Sequence, residues 1–220
     1  LNTADQKEFL DHRLIRQDQA FLLPSEGVDT NHFYFTELPQ DDKITFLYCG
    51  RLLADKGLRE YYRAAQILKK EYPVCFQILG PREEPQKSAI SDTELNRWID
   101  EGTIEYLGST EDVRPYLQKA HCVVLPTYYK EGLPRCLLEA ASMGRVMMTT
   151  YMPGCTDLVK NGVNGYLCEP KSVESLVQQM RQFIDLSPEK RSALALNARN
   201  DVVERFRMER VLDYYMQLLF

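Results

Sequence analysis

From residue 44 onward, short apolar runs alternate with longer stretches in which apolar residues recur every three or four positions. The runs fall at 44–49, 74–79, 103–107, 122–125, 146–149 and 165–168. Each has the length of a buried strand rather than of a helix. Between them, Leu58, Tyr61, Tyr62, Ala65 and Leu68 fall on one face of a 3.6-residue repeat, and Val173, Leu176, Val177, Met180, Phe183 and Ile184 repeat the stripe. Both segments are predicted amphipathic helices with one buried face. Strands separated by helices predict right-handed βαβ crossovers and a parallel sheet. The expected fold is therefore α/β: a Rossmann-like, doubly wound, six-stranded and mainly parallel sheet with helices on both faces. Two more helices are predicted at 188–205 and 208–219.

The start of the chain reads differently. The first 20 residues or so are predicted helical, with Phe9, Leu10, Leu14 and Ile15 as apolar contacts. A short strand-like run follows at 20–23, then a turn-rich stretch at 24–42 with the composition of a linker. The chain opens on Leu1, inside a helical pattern, and is expected to be a piece of a longer protein.

Composition narrows the classes. The 220 residues carry a net charge of -5, and Lys and Arg form no basic stripe, so no nucleic-acid partner is expected. No apolar run approaches the ~20 residues of a spanning helix, and no signal peptide is evident. The six cysteines, Cys49, Cys75, Cys122, Cys136, Cys155 and Cys168, show no C-x-x-C spacing. They are expected to be free thiols in a reducing cytoplasm, and no metal site is expected. His121 precedes an apolar strand and is expected to be structural. His12 and His32 show no partner spacing.

In a doubly wound sheet, ligands bind beyond the carboxyl ends of the strands. After the first strand comes Gly50-Arg51, then Lys56-Gly57, then a helix. Cations at a helix N-terminus oppose the helix dipole, so they suit an anionic ligand such as a diphosphate better than they suit the helix. In isolation, though, the pair is better read as solvated surface cations. After the fourth strand, Glu131-Gly132-Leu133-Pro134 leads into a helix that carries Glu139. Pro134 suits a first helical turn, which leaves the Gly132 and Leu133 amides pointing outward. Glu139 lies about 7.5 Å along the helix axis, so the two carboxylates are placed to grip two ends of one extended ligand. The plainer alternative is a capping Glu131 and a solvated Glu139.

These motifs, taken together, resemble the GT-B-fold, family 4 retaining glycosyltransferases. The resemblance rests on Gly50-Arg51 with Lys56-Gly57 and on Glu131 and Glu139 within E-G-L-P-x-x-L-L-E-A. It extends to Gly80, Tyr106-Leu107-Gly108, Asp112-Val113, Gly144-Arg145, Pro153-Gly154-Cys155 and Asn161-Gly162-x-Asn164-Gly165, with Gly27-Val28-Asp29 and Phe33 like the family's interdomain linker. It departs at Val146, where the family often has proline, and at Ser25 in the linker.

The resemblance implies a donor-binding half, with 1–42 as the tail of a missing N-terminal domain plus linker and 43–220 as the nucleotide-sugar-binding domain. It implies that Arg51 and Lys56, beside Gly50, hold the donor diphosphate. Glu131 takes the donor sugar's hydroxyls, the Gly132 and Leu133 amides approach sugar and phosphate, and Glu139 accepts from the ribose. Gly80 and Gly108 belong to the binding residues, with the loop at Gly108 beside the base. Glu131, Arg51 and Lys56 would carry the chemistry: transfer with retention from a nucleoside-diphosphate sugar, with UDP-sugar the expected donor, to a lipid-linked, saccharide or other acceptor. No cofactor or obligatory metal is implied. The partner is the missing acceptor domain, through which alone a membrane surface would be touched. A cytoplasmic location is expected, with the inner membrane face as the alternative for the full-length protein. The chain alone is expected to transfer no sugar. The competing readings are a non-catalytic nucleotide-sugar-binding module and a GT-B epimerase or phosphorylase.

Overall fold

The computed structural model describes residues 3–21, 26–41, 43–82 and 88–219, and these contain six strands and nine α-helices. The strands are β1 (Ile44–Cys49), β2 (Val74–Leu79), β3 (Glu105–Tyr106), β4 (Cys122–Leu125), β5 (Val146–Thr150) and β6 (Gly165–Cys168). The helices are α1 (Thr3–Asp11), α2 (Leu58–Leu68), α3 (Asp92–Asp100), α4 (Arg114–Leu117), α5 (Arg135–Ser142), α6 (Cys155–Leu158), α7 (Val173–Ile184), α8 (Pro188–Phe206) and α9 (Met208–Leu219). All strand pairs are parallel, in the order β3-β2-β1-β4-β5-β6. The order reverses between β1 and β4, where Phe46 pairs with Cys122 and Leu47 with Val123.

Helices cover the sheet, with α2 packed on α7 and α5 on α8. This explains the continuous apolar runs: every residue of β4, β5 and β6 is buried, so neither face needs polar residues. Capping residues fix several helix starts. Ser91, Ser172 and Ser187 each accept from the amide three residues on, at the N-caps of α3, α7 and α8.

Three sequence expectations need correction. The first helix stops at Asp11 and does not run to about residue 20; it buries no side chain, so no apolar packing sustains a longer helix. Arg13 then takes a left-handed φ of 55°. Ala20 and Phe21 belong to no strand, while Leu22 and Leu23 lie outside the described residues, as does Ser25. The third strand is shorter than 103–107, because the Thr103 and Ile104 amides both donate to the Trp98 carbonyl, closing α3 rather than extending the sheet.

The sheet begins at Ile44, and the segment 26–41 lies against α5 and α8. Two buried or half-buried arginines hold it. Arg145, 0% exposed, donates to the carbonyls of Thr36, Glu37, Met143, Gln118 and Ala120. Arg199 donates to Thr30, Phe33 and Ser142 carbonyls. Val28 bridges the break between α8 and α9: its amide donates to Phe206 O at 2.8 Å and its carbonyl accepts from Met208 N at 3.0 Å. Asp29 caps the turn that follows, accepting from the Asn31 and His32 amides at 2.9 Å each, and these donors hold its carboxyl below the usual range.

Candidate functional site

The carboxyl ends of β1 and β4 face one another at the point where strand order reverses, and short-range contacts lock their loops together. After β1 the chain makes one 3-10 turn, Ala54–Lys56, and Gly57 at φ 80° passes it into α2. A Cβ on Gly57 would stand 2.0 Å from the Pro126 carbonyl oxygen, so only glycine allows the two loops to approach this closely. The Asp55 carbonyl then accepts from the Tyr128 and Tyr129 amides at 2.9 and 3.1 Å. Tyr48 donates its hydroxyl to the Arg51 carbonyl at 2.7 Å, fixing the exposed Arg51 at the rim.

This join brings Lys56 to Glu131. The two side chains form an ion pair in which each is 13% exposed. Lys56 Nζ also lies 4.9 Å from the ring centre of Tyr129. Thr127, fully buried, places its hydroxyl 3.2 Å from Glu131 Oε1. Gly132 and Leu133 follow, and among the described residues the amides of both have no acceptor. Pro134 is the N-cap of α5, with extended backbone, one position earlier than the sequence suggests. The loop after β5 supports this turn from behind. Gly154, at φ 82°, sits so close that a Cβ would lie 1.6 Å from the Gly132 carbonyl oxygen.

Glu139, on α5, is 9% exposed and is not the solvated carboxylate of the plainer alternative. Burial raises its pKa, and the Arg135 guanidinium, 2.9 Å away, works against that rise. Burial and, to a lesser extent, the negative charge of Glu139 push the thiol of Cys49 up to about 12. Burial also raises the Cys136 thiol well above its usual range. All six cysteines are free.

Gly50, Gly80 and Gly108 continue the site edge in the other direction, away from β4. Gly50 N donates to Leu79 O at 3.0 Å and Gly80 N to Gly108 O at 2.8 Å, so the chain ends of β1, β2 and β3 are laced together. A Cβ on Gly80 would lie 1.9 Å from Gly50 O. Tyr106 donates its hydroxyl to the Gly80 carbonyl at 3.0 Å, and Arg82 lies over the Tyr106 ring.

The residues singled out from sequence thus occupy one continuous edge. Lys56, Glu131, Gly132 and Leu133 gather on the β1–β4 seam, with Arg51 at its rim and Glu139 on α5. Gly80 and Gly108 stand off over β2 and β3. Sequence reasoning missed Thr127 and Tyr48, which hold Glu131 and Arg51. The available signal was a hydroxyl-bearing residue within two positions of the carboxyl end of each of these two strands. His121 lies away from this edge, at the opposite end of β4, as a buried group bonded to Thr45 N.

A doubly wound parallel sheet with cations, carboxylates and unpaired amides gathered at its switch point is the architecture with which α/β domains hold phosphorylated ligands. The comparisons with known proteins make the class specific. Residues 30–201 match the family model described as glycosyl transferases group 1, and the chain belongs to that family. Its six-stranded half is the Rossmann-like half of a GT-B structure.

The chain is 26% identical over 227 residues to the N,N'-diacetylbacillosaminyl-diphospho-undecaprenol alpha-1,3-N-acetylgalactosaminyltransferase of Campylobacter jejuni, an alignment covering 96% of this chain and 58% of that protein. It therefore spans little more than half the length of this relative. Among solved structures, it superposes on Anabaena HepE in complex with UDP with a TM-score of 0.86 at 20% identity, covering 99% of this chain and 62% of that one. It also matches the C-terminal domain of the group 1 glycosyl transferase LpcC from Francisella tularensis, with a TM-score of 0.69 at 24% identity, over 83% of this chain and 100% of that domain. Among the described residues, no helix is long and apolar enough to cross a membrane.

Proposed function

We propose that this chain is the donor-binding half of a retaining glycosyltransferase that moves a sugar from a UDP-sugar to an acceptor held by a second, N-terminal domain. In this reading, 1–42 is the end of that domain and the linker, and 43–220 is the nucleotide-sugar domain. The observation that carries it is the β1–β4 seam, where the Lys56–Glu131 pair lies beside two amides that have no acceptor among the described residues, just before α5. The Anabaena relative's complex with UDP and the Campylobacter relative's activity support the choice of donor and of a lipid-linked or saccharide acceptor.

The chemistry follows from charge. As the bond from the anomeric carbon to the diphosphate breaks, negative charge grows on the bridging oxygen and positive character on carbon. Cations and helix-start amides aimed at the bridging oxygen stabilise the leaving group. Arg51, Lys56 and the Gly132 and Leu133 amides do this work. Glu131 orients the sugar through its hydroxyls, and Glu139, released from Arg135, accepts from the ribose. The acceptor, and the closure that excludes water, come from the second domain, so the chain alone binds UDP and transfers no sugar.

Titration calorimetry of the 220-residue chain with UDP tests the reading. Arg51→Ala is expected to weaken UDP binding by roughly 10- to 150-fold, the range for a charged hydrogen bond. Glu139→Ala is expected to weaken UDP but not pyrophosphate, and Glu131→Ala to spare UDP while lowering the extra affinity of UDP-glucose. Absence of UDP binding by the unsubstituted chain overturns the assignment. Equal losses of UDP affinity in the two glutamate variants overturn the division between sugar and ribose.

A further inference from the structure

Glu131 is assigned to the sugar and Lys56 to the diphosphate, yet in the protein alone each is the other's counter-ion. A donor cannot use both until they separate. Drawing Lys56 toward a diphosphate leaves the Glu131 carboxylate, 13% exposed, without that cation. A carboxylate in such a site needs a neutral hydrogen-bond donor to keep it oriented.

Thr127 supplies one. Its hydroxyl oxygen accepts from Tyr129 N at 3.1 Å, so its single hydrogen must point elsewhere. Two acceptors are in range, Asp55 O at 3.3 Å and Glu131 Oε1 at 3.2 Å. The Asp55 carbonyl is neutral, already accepts from the Tyr128 amide and shares the single Tyr129 N–H with Thr127 Oγ1. The charged Glu131 oxygen is therefore the better acceptor. Thr127 itself cannot drift: it is 0% exposed, and its carbonyl accepts from the Thr150 hydroxyl at 2.5 Å.

We propose that Thr127 is a positioning residue that holds Glu131 for the donor sugar once the diphosphate has drawn Lys56 out of its pair with Glu131. The inference rests on the donor-site reading above. Thr127 touches neither sugar nor phosphate; it acts through Glu131.

The test is titration of the 220-residue chain with UDP and with UDP-glucose, the ratio of the two affinities being the readout. Thr127→Val is expected to leave UDP affinity unchanged and to reduce the ratio about 10-fold, or to one if the ratio starts smaller. Thr127→Ser, which keeps the hydroxyl, is expected to restore it. Thr127→Ala carries the same expectation as Thr127→Val, so the result does not hang on one variant folding. In a Glu131→Ala background the Thr127 substitutions are expected to change nothing further. An unchanged ratio in the Val and Ala variants, no rescue by Ser, or a full loss persisting without Glu131 each overturns the proposal and leaves the donor site standing. A chain that binds no UDP at all overturns both.

Discussion

His121 shows what one buried group contributes. It is 3% exposed at the entry to β4, its Nδ1 accepting from Thr45 N at 3.1 Å. Burial, aided by Arg191 and Arg145 and opposed by Asp41 and the Pro39 carbonyl, lowers its pKa from 6.5 to about 4. Between these values the unfolded chain binds a proton that the folded chain refuses. The contribution is thus complete above pH 6.5 and is lost as pH falls toward 4, by ~3 kcal/mol in all. Urea unfolding at pH 7.5 and 4.5 is expected to show a larger loss in the parent chain than in His121→Gln. Equal losses would mean that His121 does not titrate in this window.

At the scale of elements, glycines decide how closely loops meet. Gly154 and Gly162 both have left-handed backbones, at φ 82° and 74°, but a Cβ at Gly162 meets nothing within 4 Å whereas one at Gly154 strikes the Gly132 carbonyl. Gly162→Ala is expected to lose about 1–2 kcal/mol from backbone strain alone and to keep its UDP affinity. Gly154→Ala is strained by its own positive φ and also displaces the turn before α5, so it is expected to lose UDP binding as well. Thermal melts alongside UDP titrations of both variants separate the two effects. If Gly154→Ala binds UDP as the parent does, the loop after β5 does not set the position of the Gly132 amide.

Across the whole molecule, the segment 26–41 is tied to the domain through Arg145 and Arg199 rather than through the sheet. Arg145 donates to five backbone carbonyls and remains charged at neutral pH, although burial lowers its pKa to about 10. Arg145→Met is expected to cost about 3 kcal/mol or more, since several buried carbonyls lose a charged donor together. Hydrogen exchange is expected to rise at the Thr36 amide, which donates to Met143 O, before it rises in β1 or β4. Simultaneous loss of protection in the strap and the sheet would show that the two unfold as one unit.

The sequence alone determined the sheet, five of its six strand positions to within a residue, the amphipathic helices and the positions of Arg51, Lys56, Glu131 and Glu139. Strand-length apolar runs, helical periodicity and glycines before and after turns are local signals, and a parallel sheet buried on both faces writes them without interruption. The Thr103 and Ile104 amides show the limit of that reading, because an apolar run does not reveal whether its amides face a strand or the end of a helix. Helix length at the N-terminus was equally illegible, since α1 buries nothing and polar contacts such as Thr3 with Asp157 join it to residues far along the chain. The pairing of Lys56 with Glu131, the burial of Glu139, the hold of Thr127 and the strap under Arg145 were decided by tertiary structure. The Lys56–Glu131 pair and the contacts of Arg145 with 26–41 join residues more than 70 positions apart, and the burial of Glu139 depends on what packs over a helix face. Thr127 lies only four positions from Glu131, but neither hydrogen-bond direction nor burial is encoded in spacing.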